Sequence, residues 1–134
     1  PVWNLWANFA YTDAEYRNYN FTGGSFSGNT PPNVPRVVAN AGLAYRLPVA
    51  LPADVGASVR HVGERFHSDA NTVKLLAYTV IDAFAAVEVA KTRLTFRVRN
   101  LTNEKYAVWS DAFYPDQILL GAPRTYEVQA QFWF

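Results

Sequence analysis

The sequence predicts an all-β protein, an antiparallel up-and-down meander of about six strands. Three observations support this fold class. Apolar residues recur at every second position in successive runs, which is typical of strands with one apolar face. Long and short connections alternate between the runs, so one end of the sheet carries large loops and the other only turns. The last run ends the chain on its apolar phase, at Phe134.

The first three strands occupy the first half of the chain. The first is predicted to run to about Tyr16, and its apolar face carries Trp3, Leu5, Ala7, Phe9 and Tyr11. A long loop from Arg17 to Pro35 follows, because this stretch is rich in Gly, Pro, Asn and Ser. The second strand alternates from Arg36 to Leu47. A short link with two prolines, Leu47 to Asp54, leads to a third strand from Val55 to Glu64.

The other three strands follow the same pattern. A second loop, Arg65 to Leu76, precedes a fourth strand from Ala77 to Val89. A minimal turn then leads to the fifth strand, Arg93 to Arg99, and a third loop spans roughly Ala107 to Ala122. The closing strand is Pro123 to Phe134. Its apolar face carries Tyr126, Val128, Ala130, Phe132 and Phe134.

Composition excludes several classes of protein. Twelve Lys and Arg residues against eleven Asp and Glu leave the chain almost neutral, so no nucleic-acid partner is predicted. The absence of Cys excludes disulfides, thiolate metal sites and cysteine nucleophiles. No run of about 18 apolar residues exists, which excludes a membrane helix, but a β-barrel leaves no such run.

The aromatic and charged residues indicate which face meets lipid. Aromatic residues lie towards strand ends on the apolar face, as in the belts at membrane interfaces: Trp3, Tyr11, Tyr45, Tyr126 and Phe134. The opposite face carries Arg36, Arg46, Arg60, Asp82, Glu88, Arg97, Arg99, Glu127, Gln129 and Gln131. An Arg facing mid-bilayer lipid costs about 2 to 4 kcal/mol, so only the apolar face can meet a membrane. Alternation also fits a soluble β-barrel or sandwich that turns this face inward.

The number of strands indicates a fragment of a larger assembly. About six strands are fewer than the roughly 8 of the smallest membrane barrels. The chain is therefore predicted to be a segment of a large transmembrane β-barrel. Placing the C-terminus at the turn end would put all three long loops on the extracellular side. The chain also lacks an initiator Met and a signal segment, so an excised or incomplete C-terminal portion is expected.

Several short segments resemble one family, the TonB-dependent outer-membrane receptors, and in particular their ferric-siderophore branch. These segments are NTPPNVPR (Asn29 to Arg36), VRHVGERF (Val59 to Phe66), NLTNEKY (Asn100 to Tyr106), LGAPRT (Leu120 to Thr125) and the terminal QAQFWF. Their order and spacing cover essentially the whole chain. The sequence departs from the family pattern at His61 and Trp133.

The resemblance implies a plugged barrel of roughly 22 strands, of which residues 1–134 would be the C-terminal part. The plug domain and the earlier strands would lie outside this chain. Such a receptor sits in the outer membrane of a Gram-negative bacterium, among lipid and lipopolysaccharide, and imports a ferric siderophore or a similar scarce ligand. The TonB complex drives import through an N-terminal segment. The barrel-assembly machinery would recognise the closing strand, with Tyr126, Phe132 and Phe134 as the signal.

Candidate functional residues lie in the loops and on the polar face. Aromatic and Arg side chains suit anionic iron complexes by stacking and cation–π contact, and the loop candidates are Tyr19, Phe21, Phe26, Arg65, His67, Trp109, Phe113 and Tyr114. Each can instead pack the loops together or touch lipopolysaccharide. On the polar face Arg60, Arg97 and Arg99 would hold plug carboxylates, or else form a solvated wall.

Signals for an enzyme or a resident cofactor are weak. GSFSG, from Gly24 to Gly28, resembles a nucleophile elbow, but its centre is Phe26 and not Ser. His61 and His67 are the only histidines and have no carboxylate cluster at metal-ligand spacing. No catalytic residue, metal site or cofactor is therefore predicted. An outer-membrane barrel enzyme is a further alternative, without a converging set of Ser, His and carboxylate.

Overall fold

The computed structural model describes residues 2–111, 113–114 and 117–134. In chain order these residues form β1 (Trp3–Tyr11), β2 (Asn20–Phe21), β3 (Gly24–Ser25), β4 (Val37–Leu47), β5 (Ala53–Val62), β6 (Arg65–Phe66), β7 (Lys74–Leu75), β8 (Tyr78–Val89), β9 (Thr92–Arg99), β10 (Ala107–Ser110), β11 (Ile118–Leu120) and β12 (Thr125–Phe132). The long strands form one sheet in the order β1-β4-β5-β8-β9-β12. Each neighbouring pair is antiparallel, which confirms the predicted fold class.

The connections alternate as predicted. Loop 1 (residues 12–36), loop 2 (63–77) and loop 3 (100–124) lie at one end of the sheet, and short turns lie at the other. Each loop contains a small hairpin that the sequence did not predict, β2 with β3, β6 with β7, and β10 with β11. Strands this short contain no alternation to read. In loop 3, residues 112, 115 and 116 lie outside the described part of the chain.

The first strand is shorter than predicted. It ends at Tyr11, because its neighbour β4 begins only at Val37, the residue opposite Tyr11. Beyond this point the chain has no neighbouring strand with which to continue a ladder. Tyr16 therefore lies in loop 1 and not in a strand.

The apolar face is exposed along the whole sheet. Register brings the predicted apolar positions side by side, with Leu5 opposite Leu43 and Leu43 opposite Ala57. No second layer of the described chain covers the side chains of this face: Leu5 is 73% and Val128 78% exposed on the edge strands, and Leu43 is 42% and Phe96 47% exposed on inner strands. A soluble sandwich would bury this face against a second layer. An uncovered apolar band of this extent is suited to lipid.

The polar face accommodates its few large rings over glycine. Trp6, which breaks the alternation of β1, lies opposite Gly42, and a Cβ added to that glycine would lie 2.5 Å from the indole ring. Phe84 lies opposite Gly56 in the same way, at 2.3 Å. A ring can cover a neighbouring strand closely only where that strand has no side chain.

Ion pairs join four strands at the turn end of the polar face. Asp54 on β5 accepts from Arg46 Nε on β4 at 3.2 Å and from Arg93 Nη2 on β9 at 2.8 Å. Arg93 Nη1 also pairs with Glu88 of β8 at 2.6 Å. One guanidinium and one carboxylate thus each serve two partners.

Candidate ligand-binding surface

Loop 1 and loop 2 are hydrogen-bonded to each other. Asn71 in loop 2 accepts from the backbone N–H of Thr30 and donates to the carbonyl of Thr30, both at 2.8 Å. Asn29 Nδ2 donates to the carbonyl of Asp69 at 2.7 Å. Asn71 has a φ of 54°, in the left-handed region that Asn tolerates better than most residues. The side chain of Asn71 thus satisfies both backbone groups of Thr30.

Loop 1 is also joined to loop 3. Asn33 Nδ2 donates to the carbonyl of Ser110 at 2.8 Å, and the backbone N–H of Ser110 donates to Asn33 Oδ1 at 3.0 Å. Ser110 is fully buried, so these bonds are shielded from water. A backbone bond from Asn33 N–H to the carbonyl of Phe66 adds loop 2 to the same junction. The three long loops therefore form one connected block.

An aromatic cluster lies in loop 1. Tyr19 and Phe26 meet edge to face with centroids 5.4 Å apart, and Phe21 and Phe26 are 4.7 Å apart. The structure thus brings together the three loop 1 residues predicted from sequence. Tyr16 joins them, 4.8 Å from Tyr19, although the sequence placed it at the end of a strand. Tyr16 can belong to this cluster because β1 ends at Tyr11, which leaves Tyr16 in loop 1.

Asp69 of loop 2 lies beside two tyrosine hydroxyls of that cluster. Tyr16 Oη donates to Asp69 Oδ1 at 2.8 Å, and Tyr19 Oη donates to Asp69 Oδ2 at 3.4 Å. Burial, followed by the hydrogen bond to Asp69, raises the pKa of Tyr16 to about 12. The phenol therefore stays protonated and remains a donor throughout the physiological range.

Arg65 and His67 do not present their side chains to a ligand in this conformation. Both are buried, at 4% and 7% exposure. Arg65 Nη2 donates to the carbonyl of Ala107, and its guanidinium lies 5.6 Å from the centre of the Tyr78 ring. Sequence position in a loop suggested an exposed cation, but Arg65 instead ties loop 2 to loop 3. Arg65 Nη1 and His67 Nε2 have no hydrogen-bond partner among the described residues.

The loop 3 candidates include the two most exposed residues of the set, Phe113 and Tyr114. Phe113 is 88% exposed, and Trp109 and Tyr114 are also exposed. The backbone N–H groups of Phe113 and Tyr114 both donate to Asp111 Oδ1, which orders this side of the loop. No ring pair joins these residues to the loop 1 cluster in the part of the chain that the structure describes. The predicted aromatic residues therefore form two separate groups.

The motif NLTNEKY forms the base of loop 3, and Asn100 is its centre. The backbone N–H of Asn100 donates to Asp82 Oδ1 at 2.8 Å. Its side-chain Nδ2 donates to the carbonyl of Ala122 at 3.0 Å, and its Oδ1 accepts from Glu104 N–H at 2.8 Å. Asn100 is buried and has a φ of 51°. It therefore joins the start of loop 3 to Ala122, near the end of the same loop.

The segment LGAPRT closes the same base from the other side. The Tyr106 ring covers Gly121 so closely that an added Cβ would lie 2.0 Å from Tyr106 Cζ. Tyr106 also stacks on Tyr78, with centroids 4.2 Å apart, and burial raises the pKa of the Tyr106 phenol. In the sequence, NLTNEKY and LGAPRT served only as signatures of a family. In the structure the two motifs contact each other through Tyr106 and Gly121.

The inner arginines differ from one another. Arg97 Nη1 and Arg99 Nε both pair with Glu127, at 3.4 and 2.6 Å. Arg60 has no acidic partner within ion-pair distance among the described residues. Arg60 and Arg99 line a cavity of about 220 Å³ that Tyr106 also borders. Arg60 is thus the inner cation that is most available to a group outside this chain.

The three closing-strand residues predicted as an assembly signal are exposed on the outer face. Tyr126 and Phe132 lie on β12 opposite Val98 and Thr92, and Phe134 follows the strand. No described residue belongs to a helix that is long and apolar enough to cross a membrane. Within the described ranges, no three His, Asp or Glu side chains come close enough together to hold a metal ion.

An open sheet with a bare apolar face, an inner face of ion pairs and long loops at one end only is a segment of a transmembrane β-barrel. Residues 2–101 match the family of TonB dependent receptor-like β-barrels, and the chain belongs to that family. This is a family of receptors and not of enzymes. The predicted outer-membrane location is confirmed by this membership.

Individual relatives agree with the family assignment. The chain is 30% identical over 139 residues to the ferrichrome outer membrane transporter/phage receptor of Escherichia coli (strain K12), and the match covers 98% of this chain and 18% of that protein. The siderophore receptor PiuA from Acinetobacter baumannii superposes with a TM-score of 0.80 at 25% identity, over 96% of this chain and 19% of its own. The ferric preacinetobactin receptor BauA of the same organism gives 0.78 at 28% identity, over 96% and 19%. The chain thus spans about a fifth of the length of these relatives.

Proposed function

We propose that this chain is the C-terminal part of a receptor that binds a ferric siderophore, or a similar scarce ligand, and imports it through the outer membrane. The single observation that carries this proposal is the connected block of three long loops above an apolar belt. The named functions of its relatives, a ferrichrome transporter and two siderophore receptors, supply the class of ligand. We assign the chain no catalytic role.

The proposed partners follow from the same assignment. The outer face contacts lipid, the outer rim contacts lipopolysaccharide, and the remaining strands and the plug domain complete the barrel. The TonB complex acts through a segment outside this chain. The barrel-assembly machinery recognises the closing strand through Tyr126, Phe132 and Phe134. Replacing Phe134 by Ala should lower the amount of assembled receptor in outer-membrane fractions without changing its synthesis.

Ligand contact is assigned to two aromatic groups, one in loop 1 and one in loop 3. They are the loop 1 cluster with Tyr19, Phe21 and Phe26, and the loop 3 group with Trp109, Phe113 and Tyr114. Rings in these positions offer stacking area to an iron complex at the cell surface. Arg65 and His67 are not included, because both are buried.

The import proposal is tested by uptake of radioactive iron in a Gram-negative strain that lacks its own siderophore receptors. Cells expressing the complete receptor should accumulate iron from at least one of ferrichrome, a ferric catecholate complex and ferripyoverdine. The same cells without TonB should not. Failure to take up iron from any of the three complexes would contradict this ligand class.

The ligand-contact assignment is tested in the same strain with Ala replacements. Replacing Trp109, Phe113 and Tyr114 together should reduce uptake by about tenfold, since roughly 1.4 kcal/mol of lost contact corresponds to that factor. Val128→Ala is the control, because Val128 is also exposed in this chain but lies on the lipid face. Equal uptake by the triple variant and the control would contradict the assignment of loop 3.

Arg60 is proposed to hold a carboxylate of the plug. It is the inner arginine without an acidic partner in the described part of the chain, whereas Arg97 and Arg99 already pair with Glu127. In the complete receptor Arg60→Gln should increase hydrogen exchange in the plug, and Arg60→Lys should largely preserve it. Arg36→Gln serves as the control, since Arg36 pairs with Asp13 elsewhere. Unchanged hydrogen exchange of the plug in Arg60→Gln would contradict this role and show that Arg60 is a solvated residue of the inner wall.

A further inference from the structure

Asp69 is the one carboxylate that contacts the loop 1 aromatic cluster within the described residues, and it belongs to a different loop. Its two oxygens accept from two phenols, Tyr16 at 2.8 Å and Tyr19 at 3.4 Å. Tyr19 meets Phe26 edge to face, and Phe26 contacts Phe21. The position of every ring in the cluster therefore depends, directly or through a neighbour, on a side chain of loop 2.

The backbone of loop 2 is itself fixed against loop 1. The carbonyl of Asp69 accepts from Asn29 at 2.7 Å, and Asn71 satisfies both backbone groups of Thr30. These bonds place the Asp69 carboxylate without using its two oxygens. The backbone that carries Asp69 is thus held against loop 1 while both carboxylate oxygens stay free to accept from the phenols, which is the arrangement of a positioning residue.

We propose that Asp69 is a positioning residue for ligand recognition, which orients the loop 1 cluster so that ring surfaces, and not phenol O–H groups, face the ligand. Tyr16 donates to Asp69 at 2.8 Å and Tyr19 at a longer 3.4 Å, so each phenol already has an acceptor within the protein. The cluster then favours a complex with aromatic or apolar groups on its surface over one that needs hydrogen-bond donors. Only this step rests on the proposed function of the receptor.

The positioning role is tested without any ligand, in the complete receptor with its native cysteines replaced. Nitroxide labels at Thr22→Cys and Ala70→Cys, both exposed positions, report the distance between loop 1 and loop 2 by double electron–electron resonance. Asp69→Ala should broaden and shift the distance distribution, and Asp69→Asn should do so less, because the amide retains one acceptor. Asp13→Ala is the control, since Asp13 is an exposed loop 1 carboxylate that pairs with Arg36 at 3.8 Å. A distribution in Asp69→Ala that equals the control would overturn the proposal.

The recognition role is tested with two probes, the iron(III) tris-catechol complex, which carries aromatic rings, and ferrichrome. Quenching of receptor Trp fluorescence measures both affinities. Asp69→Ala should weaken tris-catechol binding by roughly tenfold, the effect of losing hydrogen bonds to a charged group, and ferrichrome binding less. Equal affinity for tris-catechol in Asp69→Ala and the parent receptor would overturn this role.

Failure of the proposed function gives a different result. If the parent receptor binds neither probe and takes up iron from none of the three complexes, the ligand class is wrong, while the distance measurement still decides whether Asp69 positions the cluster. A parent receptor that binds neither probe but imports iron from ferripyoverdine would contradict the inferred recognition of tris-catechol. If the distances broaden but tris-catechol affinity does not change, the cluster is ordered by Asp69 and does not meet the ligand, which contradicts the inference.

Discussion

The two ends of the sheet are joined by different chemistry. At the loop end the connections are mainly neutral hydrogen bonds from Asn side chains to backbone groups, such as those of Asn33, Asn71 and Asn100. At the turn end they are ion pairs centred on Asp54 and Arg93. Neutral bonds to backbone depend on close geometry, whereas ion pairs act over longer distances and are screened by salt.

The difference follows from which polar groups need partners at each end of the sheet. Irregular loops leave backbone N–H and C=O groups without ladder partners, and asparagine can satisfy one of each with a single side chain. Turns at the other end leave few such groups. Regular strands there place side chains of opposite charge next to each other across the sheet, as Arg46 and Asp54 are. Substitutions should therefore be more damaging at the loop end and more dependent on salt at the turn end.

The largest effect is expected for Asn33→Ala at the loop end. The change removes all three hydrogen bonds to Ser110, leaves a buried backbone N–H without a partner and places Ala at a φ of 61°. The expected local destabilisation is about 3 kcal/mol. Hydrogen exchange measured by mass spectrometry on the complete receptor should show faster exchange in loops 1 and 3 together. Asn20→Ala, at an exposed loop 1 position, is the control; equal protection in both variants would contradict the junction.

Gly121→Ala should have the next largest effect. The added Cβ would overlap the Tyr106 ring, so the ring must leave Tyr78 or the base of loop 3 must open, at a cost of about 2 kcal/mol. The same exchange measurement should show loosening of loop 3 alone. Combining Gly121→Ala with Tyr106→Leu should recover part of the protection. No recovery would indicate that backbone conformation, and not the ring, requires glycine.

Asp54→Asn tests the turn end. Both of its ion pairs are lost, but Arg46 is more than half exposed and the less exposed Arg93 keeps its pair with Glu88, so the expected cost is only about 1 kcal/mol. The distinguishing feature is salt dependence. The difference between variant and parent receptor in the urea midpoint should shrink in about 1 M salt, where the screening length is about 3 Å. A difference that does not change with salt would mean that packing, and not charge, joins this end.

The smallest effect is expected for Glu64→Gln. Glu64 pairs with Lys74 in loop 2, and both side chains are about half exposed. Exposed pairs of this kind contribute below about 0.5 kcal/mol. Exchange in loop 2 should match the parent receptor within error. A marked loss of protection would show that exposed charges also contribute at the loop end and would weaken the contrast between the two ends.

The local sequence pattern was sufficient to predict the strands of the sheet and the face on which each of their residues lies. Alternation assigns each residue of a strand to one side, and this property does not depend on what the strand packs against. The same pattern predicted the polar face on which Arg97 pairs with Glu127, but not the pairing itself. Trp6 was an exception in sequence and is explained only by Gly42, which lies 36 residues further along the chain and directly opposite it.

The contacts of loop residues could be predicted from the sequence only in part. The aromatic candidates of loop 1 could be predicted because they lie near each other in sequence and share a residue type. Asp69 and Arg65 could not be assigned, since their partners lie about 40 to 50 residues away and nothing local marks them. A charged residue in a loop is usually exposed, and this expectation was misleading for Arg65, which is buried between two loops.

By itself, the sequence determined an antiparallel meander with one apolar face, loops at one end and a family signature in short motifs, because these properties follow from period, turn composition and local segments. The structure decided that no second layer of the described chain covers the apolar face. Tertiary structure alone decided that Tyr16 belongs to the loop 1 cluster, that Arg65 is buried, and that Asn33, Asn71 and Asp69 join the loops. The physical reason is that a hydrogen bond is satisfied in space and not in sequence. Only the fold brings a donor in one loop within 3 Å of an acceptor in another.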